Sequence, residues 1–206
     1  MKGESRRVRM TKALLQNSLV DLMETQNIRQ ITIKSICEHA DVNRSTFYLY
    51  YGSQYDLLKD IERKLVEDTK DILQAEHARR GTRPITTADL IHLLELHLTY
   101  IAENIRFFKA FSHNYEDFDL PLKTMHIILD PYVEQTAAKH QMSDREAHQM
   151  AVFMMFGCIG TVKDWIANYD EFHLPPSALA AMVAGHIECV SREAGPLKSE
   201  KGTAGK

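Results

Sequence analysis

Four polar residues, Asn43 to Thr46, stand directly before a run of aromatic residues in the segment NRSTFYLYYGSQY. Five of the chain's 17 aromatic residues (eight Phe, eight Tyr and one Trp) fall within the nine positions from Phe47 to Tyr55. An arginine presents two donors that match guanine, an asparagine amide matches adenine, and a tyrosine hydroxyl reaches phosphate oxygens. The segment therefore indicates contact with nucleic acid, because packing does not account for its four polar residues.

The other residues that could do chemistry follow no pattern of a catalytic or metal site. Several histidines are scattered through the chain after residue 90, among them His92, His97, His113, His126, His140 and His148. No Cys or His pair among them has a recognised zinc spacing, and no nucleophile can be paired with a base. We therefore expect no catalytic residues, no metal and no cofactor. The three cysteines are few, odd in number and far apart, which favours a reducing cytoplasm.

Charge is distributed unevenly along the chain. Residues 1–55 carry eight Lys and Arg against five Asp and Glu, and the remainder carries 17 against 23. A basic N-terminal part on an acidic body suits a polyanionic partner. The start, MKGESRRVRMTK, lacks the apolar run of a secretory signal. Its basic residues fit either a solvated tail or an arm that inserts into a groove of the nucleic acid. The longest apolar run, Ala151 to Val162, is too short to span a bilayer, so we expect a buried helix and no membrane.

Apolar residues recur at helical spacing throughout, and no segment alternates as a strand does, so the fold class is all-α. We predict helices at about 5–26, from Thr32 to Ala40, from Asn43 to Tyr51, from Ser53 to about His77, from Thr86 or Thr87 to Ile101, through Phe107 to Phe111, at about 120–140, from Ser143 to about Tyr169, and after the segment LPPS. The helices that begin at these points have N-caps at Thr32, Asn43, Ser53 and Ser143, according to their residue types. Pro131 is expected to kink or break its helix. The loop Arg79 to Pro84 marks an internal boundary, and the tail is expected to be disordered.

Two of these helices are very short and joined by a tight turn, which is a helix-turn-helix pattern. In such a motif the N-terminal residues of the second helix, beginning at Asn43, meet base edges in the DNA major groove. Phe47, Tyr50 and Tyr51 share a side and lock this helix to its neighbours. Ser53 caps the next helix, whose free amides form a phosphate site.

The run ITIKSICEHADVNRSTFYLYYGSQYDLL resembles the helix-turn-helix of TetR/AcrR-type transcriptional regulators. The positions that satisfy the family pattern are Thr32, Ile36, Ala40, Val42, Thr46, Phe47, Tyr48, Tyr51, Asp56, Leu57 and Leu58. The resemblance implies DNA contacts from Lys34, Asn43, Arg44, Ser45, Thr46, Tyr48 and Ser53, to which we add Tyr50 and Gln54. Departures are Asp41 where Gly is common, Tyr50 where His is common, and Gln54 where Lys is common.

The resemblance also implies a larger helical bundle that binds a ligand and dimerises. We predict a DNA-binding domain at 1–55, a shared helix at 53–78, an effector-binding and dimerisation domain at 56–195, and a disordered tail at 196–206. The candidate ligand contacts are His97, Tyr100, Phe107, Phe108, Phe111, Met125, Tyr132 and Phe156. The candidate dimer contacts lie on two helices, at Phe153, Gly157, Gly160, Ala178, Ala181 and Gly185, where small residues allow close approach.

The sequence thus predicts a cytoplasmic, homodimeric regulator that binds a near-palindromic double-stranded operator. We expect a repressor released by an unknown small-molecule effector, which would move the helix shared by the two domains. The sequence does not distinguish a repressor from an activator, nor does it give the effector, the operator or the target genes. An all-α interaction module or an enzyme, either without DNA binding, is the alternative.

Overall fold

The computed structural model describes residues 5–114 and 120–193, and within these ranges it contains ten α-helices and no strand. They are α1 (Arg6–Met23), α2 (Ile33–Ala40), α3 (Arg44–Tyr48), α4 (Gln54–Arg80), α5 (Thr87–Glu103), α6 (Ile105–Asn114), α7 (Leu120–His140), α8 (Asp144–Ala167), α9 (Tyr169–Phe172) and α10 (Pro176–Glu193). The predicted all-α fold is confirmed. The tail at 196–206, predicted to be disordered, lies outside the described residues.

Local hydrogen bonds define the ends of the two short helices. The Thr32 hydroxyl accepts from the backbone amide of Ser35, and the Ser35 hydroxyl accepts in return from that of Thr32, each at 3.1 Å. Asn43 caps α3, as predicted. Between the helices Asp41 adopts a left-handed φ of 51°. Glycine is the usual residue in this conformation and aspartate is among the few others that tolerate it, so the turn survives this departure from the family pattern.

Helix α4 connects the helix-turn-helix to the rest of the chain. It begins after its cap Ser53 and runs without interruption for 27 residues, which corresponds to about 40 Å. It packs against α1 near its start and against α5 and α7 further along. Gly81, at a φ of 67°, ends it. Helix α4 is therefore a continuous connection between the body and its cap Ser53.

The body is a bundle in which α5 packs on α10, and α7 packs on α8. Helix α6 touches both α8 and α1, so it joins the body to the N-terminal helices. Buried apolar side chains form one cluster that extends from Leu15 in α1 to Ile187 in α10. The N-terminal helices therefore rest on the same core as the body.

Several predicted helix ends differ from those in the structure. Helix α1 ends at Met23 rather than near 26, and α3 ends at Tyr48, since turns replace the helix at Leu49 and Tyr50. A break at Pro131 is wrong, because α7 is continuous through this residue. Proline removes one helical hydrogen bond, but the buried residues around it hold α7 against its neighbours, namely Ile128, Leu129, Tyr132 and Val133. The short helix α9 was not predicted.

Helix α8 is long and apolar enough to cross a membrane by length and composition, with a mean hydropathy of 1.4. In the bundle its inner face packs on α6, α7 and α10, and it buries eight residues, among them Met154, Val162 and Trp165. A core helix of a soluble protein passes the same test, so this property is weak support for a membrane span.

Candidate nucleic-acid interface

Helix α3 is fixed by its inward-facing rings. Phe47 is fully buried and Tyr51 nearly so. The Tyr51 hydroxyl donates to Asp60 Oδ2 of α4 at 2.8 Å, and the Gln16 amide of α1 donates to the same oxygen at 3.2 Å. Burial would raise the pKa of Asp60, but hydrogen bonds from Tyr51 and Arg63 outweigh it and hold the pKa below its ordinary value. An ionised carboxylate thus ties α1, α3 and α4 together, and the predicted locking of α3 by Phe47 and Tyr51 is confirmed.

The outward side of α3 carries the side chains that remain available. Arg44, Ser45, Tyr48 and Leu49 are exposed, with Tyr48 at 59% and Leu49 at 75%. Arg44 forms no hydrogen bond or ion pair with any described residue. The Tyr48 ring contacts Phe47 edge to face at 5.8 Å, which orients its hydroxyl outward. The structure therefore brings Arg44 and Tyr48 to one solvent-facing ridge, as the DNA-binding prediction requires.

Asn43 has a structural role that limits its predicted base contact. Its Oδ1 accepts from the Ser45 backbone amide and from the Ser45 hydroxyl, both at 2.9 Å. Paired recognition of adenine needs the amide oxygen and the amide nitrogen together. While it caps α3, Asn43 has only Nδ2 to offer, and Ser45 has already used its hydroxyl proton. Sequence reasoning predicted both roles for Asn43 without noticing that they compete for one oxygen.

The start of α4 lies beside α3 and offers a site for a phosphate. Ser53 Oγ accepts from the Asp56 amide at 3.2 Å and donates to Asp56 Oδ2 at 3.0 Å. The amides of Gln54 and Tyr55 come before the first intrahelical bond, so they point out of the helix end with its partial positive charge. Three of the predicted contact residues are half-buried rather than exposed, namely Thr46, Ser53 and Gln54. Part of each residue therefore remains accessible at the edge of this surface.

Two lysines flank the ridge. Lys34, predicted from the family resemblance, lies 3.7 Å from Glu38, and since both side chains are exposed the pair opens at little cost. Lys12 was not predicted. Its ammonium lies 5.8 Å from the centroid of the Tyr50 ring, which packs half-buried between α1 and Tyr51. Nothing in the sequence spacing indicates this pairing, because α1 and α3 meet only through tertiary packing.

Seven of the eight predicted ligand contacts lie inside the body. Phe108, Phe111, Met125 and Tyr132 are buried, and Tyr100 and Phe107 are half-buried. The Tyr100 hydroxyl donates to Asp68 Oδ2 of α4 at 2.9 Å, and the pKa of Tyr100 is raised mainly by burial. Most of these residues pack as core.

His97 is the polar member of this interior group. It is 1% exposed, and burial lowers its pKa to about 4, so the ring is neutral at pH 7. Its Nε2 lies 3.3 Å from the Thr124 hydroxyl. Its Nδ1 has no hydrogen-bond partner among the described residues. A buried nitrogen without a partner is costly, which makes this atom a place where a ligand would improve the structure.

Grooves also open on the surface of the body, and two of them are formed by α4, α5, α7 and α10. One of about 470 Å³ lies between the end of α4, the start of α5 and the middle of α7, and His77, His92 and His126 are on its walls. None of the eight predicted ligand residues is among its lining residues. The second, of about 410 Å³, lies between α7 and α10 and includes Tyr132. The described residues contain no group of three or more His, Cys, Asp or Glu that would hold a metal ion.

Phe156, the eighth predicted ligand contact, is 68% exposed on the outer face of α8. Phe153 lies beside it at 66%, so we reassign Phe156 from the interior group to this outer face. The other predicted dimer contacts are exposed as well, namely Gly157, Gly160, Ala178, Ala181 and Gly185. A Cβ atom placed at any of the three glycines meets nothing within 4 Å in the protomer. The fold of one protomer therefore does not require glycine there.

An ion-pair cluster joins the body to the N-terminal helices. Arg106 of α6 donates to Asp21 and, at 3.2 Å, to Glu24, both at the end of α1. Asp21 also lies 3.2 Å from the imidazole of His39 in α2. The cluster therefore links α6 to the first helix of the helix-turn-helix. Helix α6 is far in sequence from α1 and α2, and no pattern in the sequence predicts its contact with them.

Comparison with known sequences identifies the C-terminal part. Residues 89–187 match a TetR C-terminal family model described as "Transcriptional regulator C-terminal region". An "Uncharacterized HTH-type transcriptional regulator YxbF" of Bacillus subtilis (strain 168) is 26% identical over 107 residues, which are 52% of this chain and 25% of that protein. The matched region thus spans about a quarter of the length of this curated relative.

Solved structures share the fold over nearly the whole chain. The "Dihydroxyacetone kinase operon activator DhaS" is 19% identical with a TM-score of 0.60, over 88% of this chain and 96% of that one. A TetR-family regulator of Syntrophomonas wolfei is 12% identical with a TM-score of 0.64, over 89% and 96%. The regulator FadR of Bacillus subtilis, solved with stearoyl-CoA, is 17% identical with a TM-score of 0.60, over 85% and 96%. Residues 89–187 thus match the C-terminal region of TetR-type transcriptional regulators, and the described chain shares the fold of solved TetR-family regulators.

Proposed function

We propose that the protein binds a double-stranded DNA operator through α3 and the start of α4, and regulates transcription in the cytoplasm. The observation that carries this proposal is the exposed ridge of Arg44 and Tyr48 on a helix locked from behind by Phe47 and Tyr51. Arg44 pairs with a guanine and Tyr48 contacts the sugar-phosphate backbone. Residues 1–55 act as the DNA-binding domain and 56–195 as the body, with α4 shared between them.

The DNA-binding unit is a homodimer formed by the outer face of α8 and α10. Two exposed phenylalanines on one helix are unusual on a monomer, and the neighbouring glycines leave room for a second chain. A two-fold dimer places two copies of α3 about 34–36 Å apart, on successive turns of the major groove. The operator is therefore a near-palindrome.

A small-molecule effector controls the dimer by changing the separation of its two copies of α3. The effector enters the interior group around His97 and gives Nδ1 its missing hydrogen-bond partner, so its chemistry includes a hydroxyl or carbonyl oxygen on an apolar body. Tyr100, bonded to Asp68, passes the displacement to α4. We propose repression that the effector relieves. One structural neighbour is named as an operon activator, so transcription assays decide between repression and activation.

The DNA-binding proposal is tested by selection from a randomised duplex library, followed by fluorescence anisotropy at two salt concentrations. We expect one enriched near-palindrome, bound with a steep dependence on salt. Arg44→Ala should weaken binding by about tenfold or more and relax the preference at one guanine per half-site. Arg145→Ala removes an exposed arginine at the start of α8 and is the matched control.

Two results would contradict the proposal. Unchanged affinity in the double variant Arg44→Ala, Tyr48→Phe would show that the ridge is not the reading surface. Failure of the library to enrich any sequence, with a folded dimer, would favour an interaction module that does not bind DNA.

A further inference from the structure

Leu49 is the most exposed large apolar residue among the described residues, at 75%. It follows the last residue of α3, and its backbone amide still bonds to the Thr46 carbonyl at 3.3 Å. Since it lies four positions after Ser45, its side chain is on the outward side of α3. Leucine has no hydrogen-bonding group, so its residue type alone does not indicate a DNA contact.

The polar side chains around Leu49 are largely committed elsewhere. Asn43 and Ser45 satisfy each other at the cap of α3, as described above. On the outward side of α3, Arg44 and Leu49 are then the two exposed side chains that form no hydrogen bond, ion pair or ring contact with a described residue. Helix α3 is five residues long, or about 7.5 Å, which is about two base-pair steps. The spacing of the two side chains therefore fits contacts to neighbouring base pairs.

The major groove offers an apolar partner on thymine, whose C5-methyl group is a contact for apolar side chains. A leucine placed over cytosine or guanine would instead cover a polar edge without a hydrogen bond, at a cost in free energy. We propose that Leu49 is a specificity-determining residue that reads a thymine methyl group, within about two base pairs of the guanine bound by Arg44. This inference rests on the proposed DNA-binding function and names a base that it recognises.

The test replaces each thymine of the selected operator in turn by uracil, which removes the methyl group and keeps every hydrogen bond. Binding by the full-length protein is measured by fluorescence anisotropy. Wild type should lose about threefold to tenfold in affinity at one thymine per half-site, as expected for one buried methyl contact. Leu49→Ala should bind the thymine and uracil operators equally well. Leu49→Met, which retains an apolar side chain of similar size, should restore the sensitivity.

The outcomes separate this inference from the proposed function. An operator that binds tightly but tolerates uracil everywhere overturns the role of Leu49 and leaves DNA binding intact. The same holds if Leu49→Ala keeps the full sensitivity to uracil, because another residue would then contact the methyl group. If no operator is selected at all, both proposals fail. Folding is checked by thermal melting, which we expect to be unchanged in Leu49→Ala since the side chain is exposed.

Discussion

At the residue scale, the site shows that one side-chain atom serves one role at a time. Arg44 and Tyr48 were predicted from their types and position, and the structure presents both to solvent. Asn43 was predicted as both a cap and a base reader, but its oxygen is occupied by Ser45. Leu49 carries no polar signal, so residue type could not reveal it. The sequence therefore predicts which residue types can contact DNA. It does not show which of their atoms are already used in hydrogen bonds within the protein.

We predict that Asn43 contributes to folding more than to base recognition. Asn43→Ala should lower the free energy of unfolding by about 1 kcal/mol, the usual cost of losing a helix N-cap. Asn43→Ser keeps a capping oxygen, so it should restore stability without changing the selected operator sequence. Urea denaturation and repeated operator selection measure the two effects. A lost adenine preference in the stable Asn43→Ser variant would show that Asn43 reads a base after all.

His97 leads to a prediction about pH. Burial lowers its folded-state pKa to about 4, below the ordinary value of about 6.5, so the unfolded chain binds a proton more readily between these values. Stability should therefore be fully present above about pH 6.5 and fall as the pH drops toward 4, by ~2–3 kcal/mol from this group. In His97→Leu that part of the dependence should disappear. The Leu variant should also be at least as stable at pH 7, because no buried nitrogen lacks a partner.

Urea denaturation at several pH values measures this effect, with His148→Leu as the exposed control. An unchanged acid dependence in His97→Leu would mean that the ring is accessible to water in solution. It would also remove the reason for placing the effector beside it.

At the element scale, helix starts were easier to predict than helix ends or faces. The caps Thr32, Asn43, Ser53 and Ser143 were all predicted correctly, because a cap depends on residues within one turn. The end of α1 and the continuity of α7 through Pro131 depend on packing against distant helices. The outer face of α8 could not be predicted either. Because the helix is apolar nearly all round, its sequence does not show which side packs on the protein's own core.

The contact between α6 and α1 carries a prediction of its own. Arg106→Glu should place a third carboxylate beside those of Asp21 and Glu24. Because the three like charges repel each other, the free energy of unfolding should fall by about 1 kcal/mol. Because these side chains are partly exposed, 1 M salt should remove most of the difference. The substitution should also weaken operator binding, since Asp21 links α1 to His39 of α2. A charge swap, Arg106→Glu with Asp21→Arg, should recover part of both losses.

Hydrogen exchange of α1 and α2 shows whether the loss of the ion pairs destabilises the helix-turn-helix or only the surface of α6. Arg106→Glu should increase exchange at the end of α1 and in α2. If exchange changes in α6 alone, the ion pairs do not support the helix-turn-helix, and the link between body and DNA-binding domain passes through α4 only.

At the scale of the whole molecule, the described protomer leaves one large apolar surface uncovered, on α8 and α10. Glycines at 157, 160 and 185 are not required by the protomer itself, because a side chain at each of these positions has open space around it. Their small size becomes useful only if another surface approaches closely. The proposed second copy of the chain would cover the exposed phenylalanines and use the space beside the glycines.

We therefore predict that Gly160→Arg yields a folded monomer. The arginine has room in the protomer, so the melting temperature at high dilution should change little, whereas a dimer would have to bury its charge against the partner. Ala75→Arg, on an exposed position of α4, is the matched control and should remain dimeric. Sedimentation equilibrium measures the mass, and anisotropy compares the full operator with a single half-site. The monomer should bind both DNAs with the same weak affinity, because two linked reading helices no longer act together. A Gly160→Arg protein that stays dimeric would place the interface elsewhere and leave Phe153 and Phe156 without an explanation.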